Sequence, residues 1–97
     1  MDEAQIEAGA QRAVQALAPD VVRIRYSLGE DWTGDPSVFF RVVLSKEASR
    51  EEHLGETARR IESSIRNEVN PDELGLYAYF TFRSESEEAA NREAAWA

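Results

Sequence analysis

The side chains with the clearest chemical meaning are arginines and aromatic residues that alternate along three apolar stretches. If each stretch is a β-strand, alternate residues share a face. One face would then carry Arg23, Arg25, Phe39, Arg41, Val43, Tyr77, Tyr79, Thr81 and Arg83. Guanidinium groups bind carboxylates and phosphates, and aromatic rings stack on bases or anchor protein interfaces. The pattern therefore predicts a recognition surface.

Three interpretations of this surface stay open. Single-stranded nucleic acid would stack on the rings and pair with the arginines, as in RRM-type domains. A different protein would use the same side chains as anchors. Alternatively, a second copy or the C-terminal tail covers the face, with Trp96 capping the rings and the arginines pairing with Glu85, Glu87, Glu88 and Glu93. The net charge of −8 opposes nucleic acid and ranks it last.

A turn-rich loop, Gly29–Pro36, carries Trp32. Over-length loops are more often functional than tight turns are. Trp32 is either an exposed interface anchor or packed against the edge of the domain. Asp31 and Asp35 supply too few oxygen ligands for a calcium loop, so we expect turn chemistry and no metal.

No catalytic constellation can be assembled from the remaining residues. His53 is the sole histidine and cysteine is absent, which excludes thiolate chemistry and leaves no triad or zinc site. We expect His53 on the surface. We also expect a non-enzymatic protein that has no cofactor.

Length and composition indicate one small α+β domain. The 97 residues divide into a predicted domain, 1–84, and a C-terminal helical tail, 85–97. No stretch approaches the roughly 20 apolar residues of a membrane span. The acidic N-terminal residues do not form a signal peptide. We therefore expect no contact with a membrane and a cytoplasmic location.

Hydrophobic periodicity predicts the order helix–strand–strand–helix–strand. The helices are expected at 3–18 and from Ser49, as N-cap, to the break at Asn70-Pro71-Asp72, and the strands at 21–28, 37–45 and 76–83. Two helical stripes on one sheet face give a two-layer sandwich. The right-handed crossover makes the third strand parallel to the second. We predict a three-stranded mixed sheet with the first strand central, like half of a ferredoxin-like or type-II KH-like domain.

Two stretches, DWTGDPSVFFRVVLS and YFTFRSESEEAANREAAWA, resemble those of a family of small prokaryotic proteins without an assigned function. The tryptophan loop, the Phe-Phe-Arg strand and the terminal Ala-Trp-Ala recur together in that pattern. The resemblance implies an antitoxin-like role, as the small acidic partner in a two-gene module.

The sequence thus favours a protein–protein interaction module that forms a homodimer or binds another, basic protein. Single-stranded RNA binding through the same face is the alternative. The partner-binding residues are expected to be Arg23, Arg25, Trp32, Phe39, Arg41, Tyr77, Tyr79, Arg83 and Trp96.

Overall fold

Three strands form one mixed sheet in the computed structural model, which describes residues 3–90 and Trp96. The elements in chain order are α1 (Glu3–Leu17), β1 (Val21–Glu30), β2 (Pro36–Leu44), α2 (Glu51–Val69), β3 (Tyr77–Ser84) and α3 (Glu85–Ala90). This order confirms the α+β prediction. None of the helices in the described ranges is both long and apolar enough to cross a membrane.

The strand order is β1-β2-β3, so the prediction of a central first strand was wrong. β2 pairs antiparallel with β1 and parallel with β3, and the parallel crossover was predicted correctly. α2 returns the chain directly beside β2, without the intervening strand of the split β-α-β unit in ferredoxin-like folds. The centre suits β2 because both of its faces are apolar: Phe40 is 0% exposed on one and Val43 is 3% exposed on the other.

α1 and α2 pack on the same face of the sheet, which we call the inner face. Their buried side chains form one core with those of β1 and β2, including Ile6, Ile61, Ile65, Val38 and Phe40. The two helices approach closely at Gly9, where an added Cβ would lie 2.6 Å from the carbonyl oxygen of Glu68.

Two local predictions need correction. Arg50 is the N-cap of α2 and makes no side-chain cap hydrogen bond, whereas the Ser49 hydroxyl donates to the carbonyl of Lys46 at 2.9 Å. A turn before the helix therefore uses the side chain that was expected to cap it. In β1, the register shifts between Val21 and Arg23, so Val21 is buried and Val22 is 44% exposed, the reverse of simple alternation.

Candidate functional site

The predicted arginine and aromatic side chains share the sheet face opposite α1 and α2, which we call the outer face. Strand pairing arranges them in rows across β1, β2 and β3. From one end of the sheet to the other, the rows are Arg23–Val43–Arg83, Arg25–Arg41–Thr81, Ser27–Phe39–Tyr79 and Gly29–Ser37–Tyr77. The alternation in the sequence therefore predicted the composition of this face correctly.

The first row, Arg23–Val43–Arg83, is covered, and we call it the covered row. Glu88 of α3 reaches both of its guanidinium groups. The Oε1 atom of Glu88 lies 3.3 Å from Nη2 of Arg23, and its Oε2 atom lies 3.8 Å from Nη1 of Arg83. Val43, between the two arginines, is 3% exposed. One carboxylate therefore holds the cations of both edge strands.

Trp96 completes this cover. Its ring centroid lies 4.3 Å from the guanidinium carbon of Arg83, a cation–π contact. Its carbonyl accepts a hydrogen bond of 2.6 Å from Nη2 of Arg23. Trp96 is 5% exposed. The back-folded tail was one of the open interpretations, but Trp96 packs on an arginine, whereas it was expected to cap the aromatic rings.

The other acidic side chains of the tail have different positions. Glu87 caps α3: the backbone N–H of Ser84 donates to its Oε1 at 3.2 Å, and its own N–H donates to Oγ of Ser84 at 3.1 Å. Such a reciprocal pair is a capping box. Glu85 is exposed, and Glu93 lies outside the described residues. Of the four glutamates predicted to pair with the arginines, only Glu88 contacts them within the described part of the tail.

At the opposite end of the outer face, the tryptophan loop closes tightly between β1 and β2. The loop comprises residues 31–35 and is shorter than the sequence suggested. The N–H of Asp31 donates to the carbonyl of Asp35 at 3.0 Å, and the N–H of Gly34 donates to the carbonyl of Asp31 at 3.0 Å. Gly34 has a φ of 87°, which favours glycine. The loop is therefore a defined turn.

The carboxylate of Asp31 organises this loop. Its Oδ1 atom accepts from the N–H of Thr33 at 2.9 Å and from the N–H of Asp35 at 3.0 Å, while Oδ2 accepts from the Tyr79 hydroxyl at 2.7 Å. The Thr33 hydroxyl lies 2.7 Å from Asp31 Oδ1 and 2.8 Å from Asp35 Oδ2, so its single proton serves one carboxylate at a time.

These contacts shift the pKa of two groups in opposite directions. Hydrogen bonds, first from the Thr33 side chain and then from Tyr79, hold the pKa of Asp31 well below its ordinary value. Donation to Asp31 raises the pKa of Tyr79. The pair is therefore a carboxylate with a neutral phenol at neutral pH. Within residues 3–90 and Trp96, no group of three His, Cys, Asp or Glu side chains is placed to hold a metal ion.

The loop and two strands build an aromatic cluster that we call the aromatic patch: Trp32, Phe39, Tyr77 and Tyr79. The ring of Tyr79 lies between two others, with its centroid 5.3 Å from that of Trp32 and 5.5 Å from that of Phe39. The Phe39 and Tyr79 rings are stacked with 19° between their planes. Trp32 is 82% exposed and Tyr77 58% exposed. The aromatic patch therefore exposes apolar side-chain area to solvent, while hydrogen bonds to Asp31 hold its loop in place.

Arg25 and Arg41 lie in the second row, between the aromatic patch and the covered row, and we call them the arginine pair. They face each other across β1 and β2. Nη1 of Arg41 donates to Oγ of Ser27 at 3.1 Å. Nη1 of Arg25 donates to the carbonyl of Ile24 at 3.4 Å. Guanidinium groups are the side chains that recognise carboxylates and phosphates, and here they lie next to rings that stack or pack.

The structure divides the predicted site residues into two groups. Trp32, Phe39, Tyr77 and Tyr79 form the aromatic patch beside the arginine pair, whereas Arg23, Arg83 and Trp96 are held together in the covered row. His53 is exposed on α2, as expected. The contact between Asp31 and Tyr79 was missed, because 48 positions separate the two residues and local turn patterns do not reveal it.

Comparisons of the chain with protein-family models, with curated proteins and with solved structures found no match.

Proposed function

We propose that this chain is a non-enzymatic protein-binding module and that its contact surface is the aromatic patch together with the arginine pair. The observation that carries the proposal is Trp32, which is 82% exposed although its loop is fixed by internal hydrogen bonds. Large side chains that are ordered before binding lose little entropy when a partner covers them. Tryptophan, tyrosine and arginine are also the residues most enriched in binding hot spots.

The charge distribution supports a protein partner more than a nucleic acid. The chain carries 19 acidic against 11 basic residues, so its long-range field attracts a basic protein and repels a polyanion. Contact at short range would then rest on the rings and on Arg25 and Arg41. The antitoxin-like role that the resemblance implies stays a prediction.

The proposed contact surface does not include the covered row. Trp96 is 5% exposed, and Arg23 and Arg83 already contact Glu88. A partner would have to compete with Glu88 for the two guanidinium groups, and it would reach Trp96 only after the tail moved away. Their predicted role in partner binding stays a prediction, and the proposal does not require it.

The proposal is tested by comparing Trp32→Ala with Leu54→Ala in partner capture from a lysate of the source organism. Leu54 is the matched control because it is an exposed apolar residue, 37% accessible, on α2. Loss of a hot-spot side chain costs about 2 kcal/mol, or roughly thirty-fold in affinity. We expect Trp32→Ala to abolish capture of a protein that Leu54→Ala retains. Equal capture by both variants would contradict the proposal.

Single-stranded RNA binding is a second candidate, favoured by the position of Arg41 one row from the stacked rings of Phe39 and Tyr79. Bases stack on such rings and phosphates pair with arginine. Titration of Trp32 fluorescence with short oligonucleotides at low salt tests it. Binding that weakens with salt and is lost in Arg41→Ala would support RNA. No change in fluorescence at high oligonucleotide concentration would exclude this candidate.

A further inference from the structure

We infer that this chain forms a dimer in which the β3 strands of two copies pair antiparallel along their free edges. The two sheets would then form one continuous sheet. β3 lies at one end of the strand order and has β2 on its other side. No strand in the described part of the chain pairs with its second edge. An edge strand offers a row of backbone donors and acceptors that templates the addition of another strand. The contact would run along the backbone edge of β3, whereas the proposed function rests mainly on Trp32 of the loop.

The edge of β3 lacks proline, lysine and a bulge, which are among the features that prevent such pairing. Natural edge strands are short, bulged or interrupted by proline and lysine. β3 is eight residues long, YAYFTFRS, with neither proline nor lysine. Its register with β2 runs without a shift from Tyr77 to Ser84. The other edge strand, β1, carries a register shift between Val21 and Arg23. The two edges of the sheet are therefore unequal, and β3 is the regular one.

β3 also carries apolar side chains that this chain alone covers incompletely. On the inner face, Phe80 and Phe82 are only partly buried, whereas Phe40 and Val42 of β2 are 0% exposed. A strand added beside β3 would cover the two phenylalanines from the open side. Pairing would therefore bury apolar area of Phe80 and Phe82 in addition to forming backbone hydrogen bonds, and both contributions favour association.

The sequence of β3 is complementary to itself, and this identifies the added strand as a second copy. In an antiparallel pair, directly opposed residues point to the same face of the sheet. Only two registers of β3 against a second β3 therefore pair seven residues while opposing inner-face residues to inner-face residues. One opposes Tyr77 to the partner's Arg83, and the other opposes Tyr79 to the partner's Arg83. On the outer face, each sets a tyrosine beside the partner's Arg83, whose guanidinium already contacts Glu88 and Trp96, so the match rests on the inner face. Each also opposes aromatic side chains on the inner face, as Phe80 with the partner's Phe80 or with the partner's Phe82.

The position of Arg66 selects between these registers. Its guanidinium carbon lies 5.3 Å from the centroid of the Phe80 ring. If Phe80 opposed the partner's Phe80, two Arg66 side chains would meet near the two-fold axis, and like charges at short range are unfavourable. The other register moves them apart and places Thr81 opposite the partner's Thr81. The inferred dimer therefore has its axis at Thr81.

Such a dimer would place two aromatic patches on one continuous outer face. Tyr77 and Tyr79 belong to the pairing strand, so both patches would lie near the new contact. A partner with two matching sites would then gain affinity by binding both at once.

The test compares Thr81→Lys with Ser27→Lys by analytical ultracentrifugation of the full chain over a range of concentrations. Both residues are exposed on the outer face and both neighbour Arg41, but they lie on opposite edge strands. We expect the wild type and Ser27→Lys to dimerise. Thr81→Lys should raise the dissociation constant about tenfold or more, since it opposes two lysines across the axis. Circular dichroism checks that both variants are folded.

Cysteine cross-linking provides the second measurement, and it reads the register directly. The chain has no cysteine, so a single introduced thiol is unique. Thr81→Cys should oxidise to a disulfide-linked dimer, whereas Ser27→Cys should stay largely monomeric. A monomeric wild type at every concentration would overturn the inference. So would equal effects of the two lysine substitutions, which would indicate association through the face. Neither result would affect the Trp32→Ala test of the proposed function.

Discussion

At the scale of single residues, Asp31 determines how the aromatic patch is presented. Its carboxylate accepts the backbone N–H groups of Thr33 and Asp35, and it also accepts the hydroxyl of Tyr79 on a different strand. The same side chain therefore closes the turn and fixes the loop on β3. Trp32 follows Asp31 directly, so the direction of its ring depends on this one carboxylate.

The opposite pKa shifts of Asp31 and Tyr79 predict how the loop responds to pH. Asp31, whose pKa is lowered, contributes stability that is complete above its unfolded pKa of about 4 and is lost as pH falls through the folded pKa. Tyr79, whose pKa is raised, contributes stability that is complete below about pH 10 and is lost as pH rises through the folded pKa. We therefore expect the loop to stay ordered between these limits.

Fluorescence of Trp32 in a Trp96→Phe background measures this response. We expect no transition near pH 4, a change only in stronger acid, and a second change above about pH 10. The control is Tyr79→Phe, which removes the phenol and should abolish the alkaline change. A transition centred near pH 4, or an alkaline change that survives in Tyr79→Phe, would show that the hydrogen bond between Asp31 and Tyr79 does not hold the loop.

The residues of the loop show how far local sequence patterns reach. Aspartate, glycine and proline around Trp32 predicted a turn, and the bonds from Asp31 to Thr33 and Asp35 are of this local kind. The bond to Tyr79 joins the first hairpin to the last strand. It depends on β2 and β3 being neighbours, which local patterns do not specify.

At the scale of elements, the contact between α1 and α2 depends on the absence of a side chain at Gly9. A Cβ there would lie 2.6 Å from the Glu68 carbonyl oxygen and 2.9 Å from a methyl carbon of Val69. Both distances are below van der Waals contact, and the nearest atom belongs to the backbone. The helices would therefore have to move apart.

The prediction is that Gly9→Ala lowers the free energy of unfolding by about 1–3 kcal/mol, the usual cost of overpacking. Gly55→Ala is the matched control, because Gly55 also lies within a helix and its Cβ would meet no atom within 4 Å. Helix propensity alone should make that variant more stable by up to about 1 kcal/mol. Urea denaturation measures both changes. Equal stabilisation by the two alanines would contradict the close approach of α1 and α2.

The attachment of α3 to the sheet depends on Glu88. Its side chain is 16% exposed and lies between two cations. Arg23 Nε and Glu88 Oε2 are buried without a hydrogen-bond partner among the described residues. The cluster is therefore held mainly by charge, and an attachment of this kind is sensitive to neutralisation.

We expect Glu88→Gln to destabilise the tail by about 1–3 kcal/mol, because two guanidinium groups would then face a neutral amide. Glu85→Gln, on the exposed side of the same short helix, should have little effect. Amide hydrogen exchange of residues 85–90 measures the difference. Unchanged protection in Glu88→Gln would show that the carboxylate does not hold α3 on the sheet.

Alternation in the strands predicted which residues share a face, but it did not identify which strand lies beside which. The apolar residues on both faces of β2 were the available signal for its central position, since Val43 is buried on the outer face. From Arg23 onward, β1 alternates between the two faces, as suits an edge strand that is covered on one side only. The first strand was predicted in the middle, antiparallel to both neighbours, whereas β2 occupies that position.

At the scale of the whole molecule, one end of the outer face is covered and the other end is exposed to solvent. The covered row is closed by Glu88 and Trp96, and the aromatic patch at the other end is open. The composition of this face followed from the sequence. Its division did not, because the position of Trp96 depends on contacts with Arg23 and Arg83, far away in the chain.

Acrylamide quenching of the two single-tryptophan variants tests this division most directly. Trp96→Phe leaves Trp32, which we expect to emit at long wavelength and to be quenched several-fold more efficiently, because it is 82% exposed. Trp32→Phe leaves Trp96, which is 5% exposed and should emit at shorter wavelength and resist quenching. If Trp96 were quenched as readily as Trp32, the covered row would be open in solution and the aromatic patch would no longer be the distinct exposed surface.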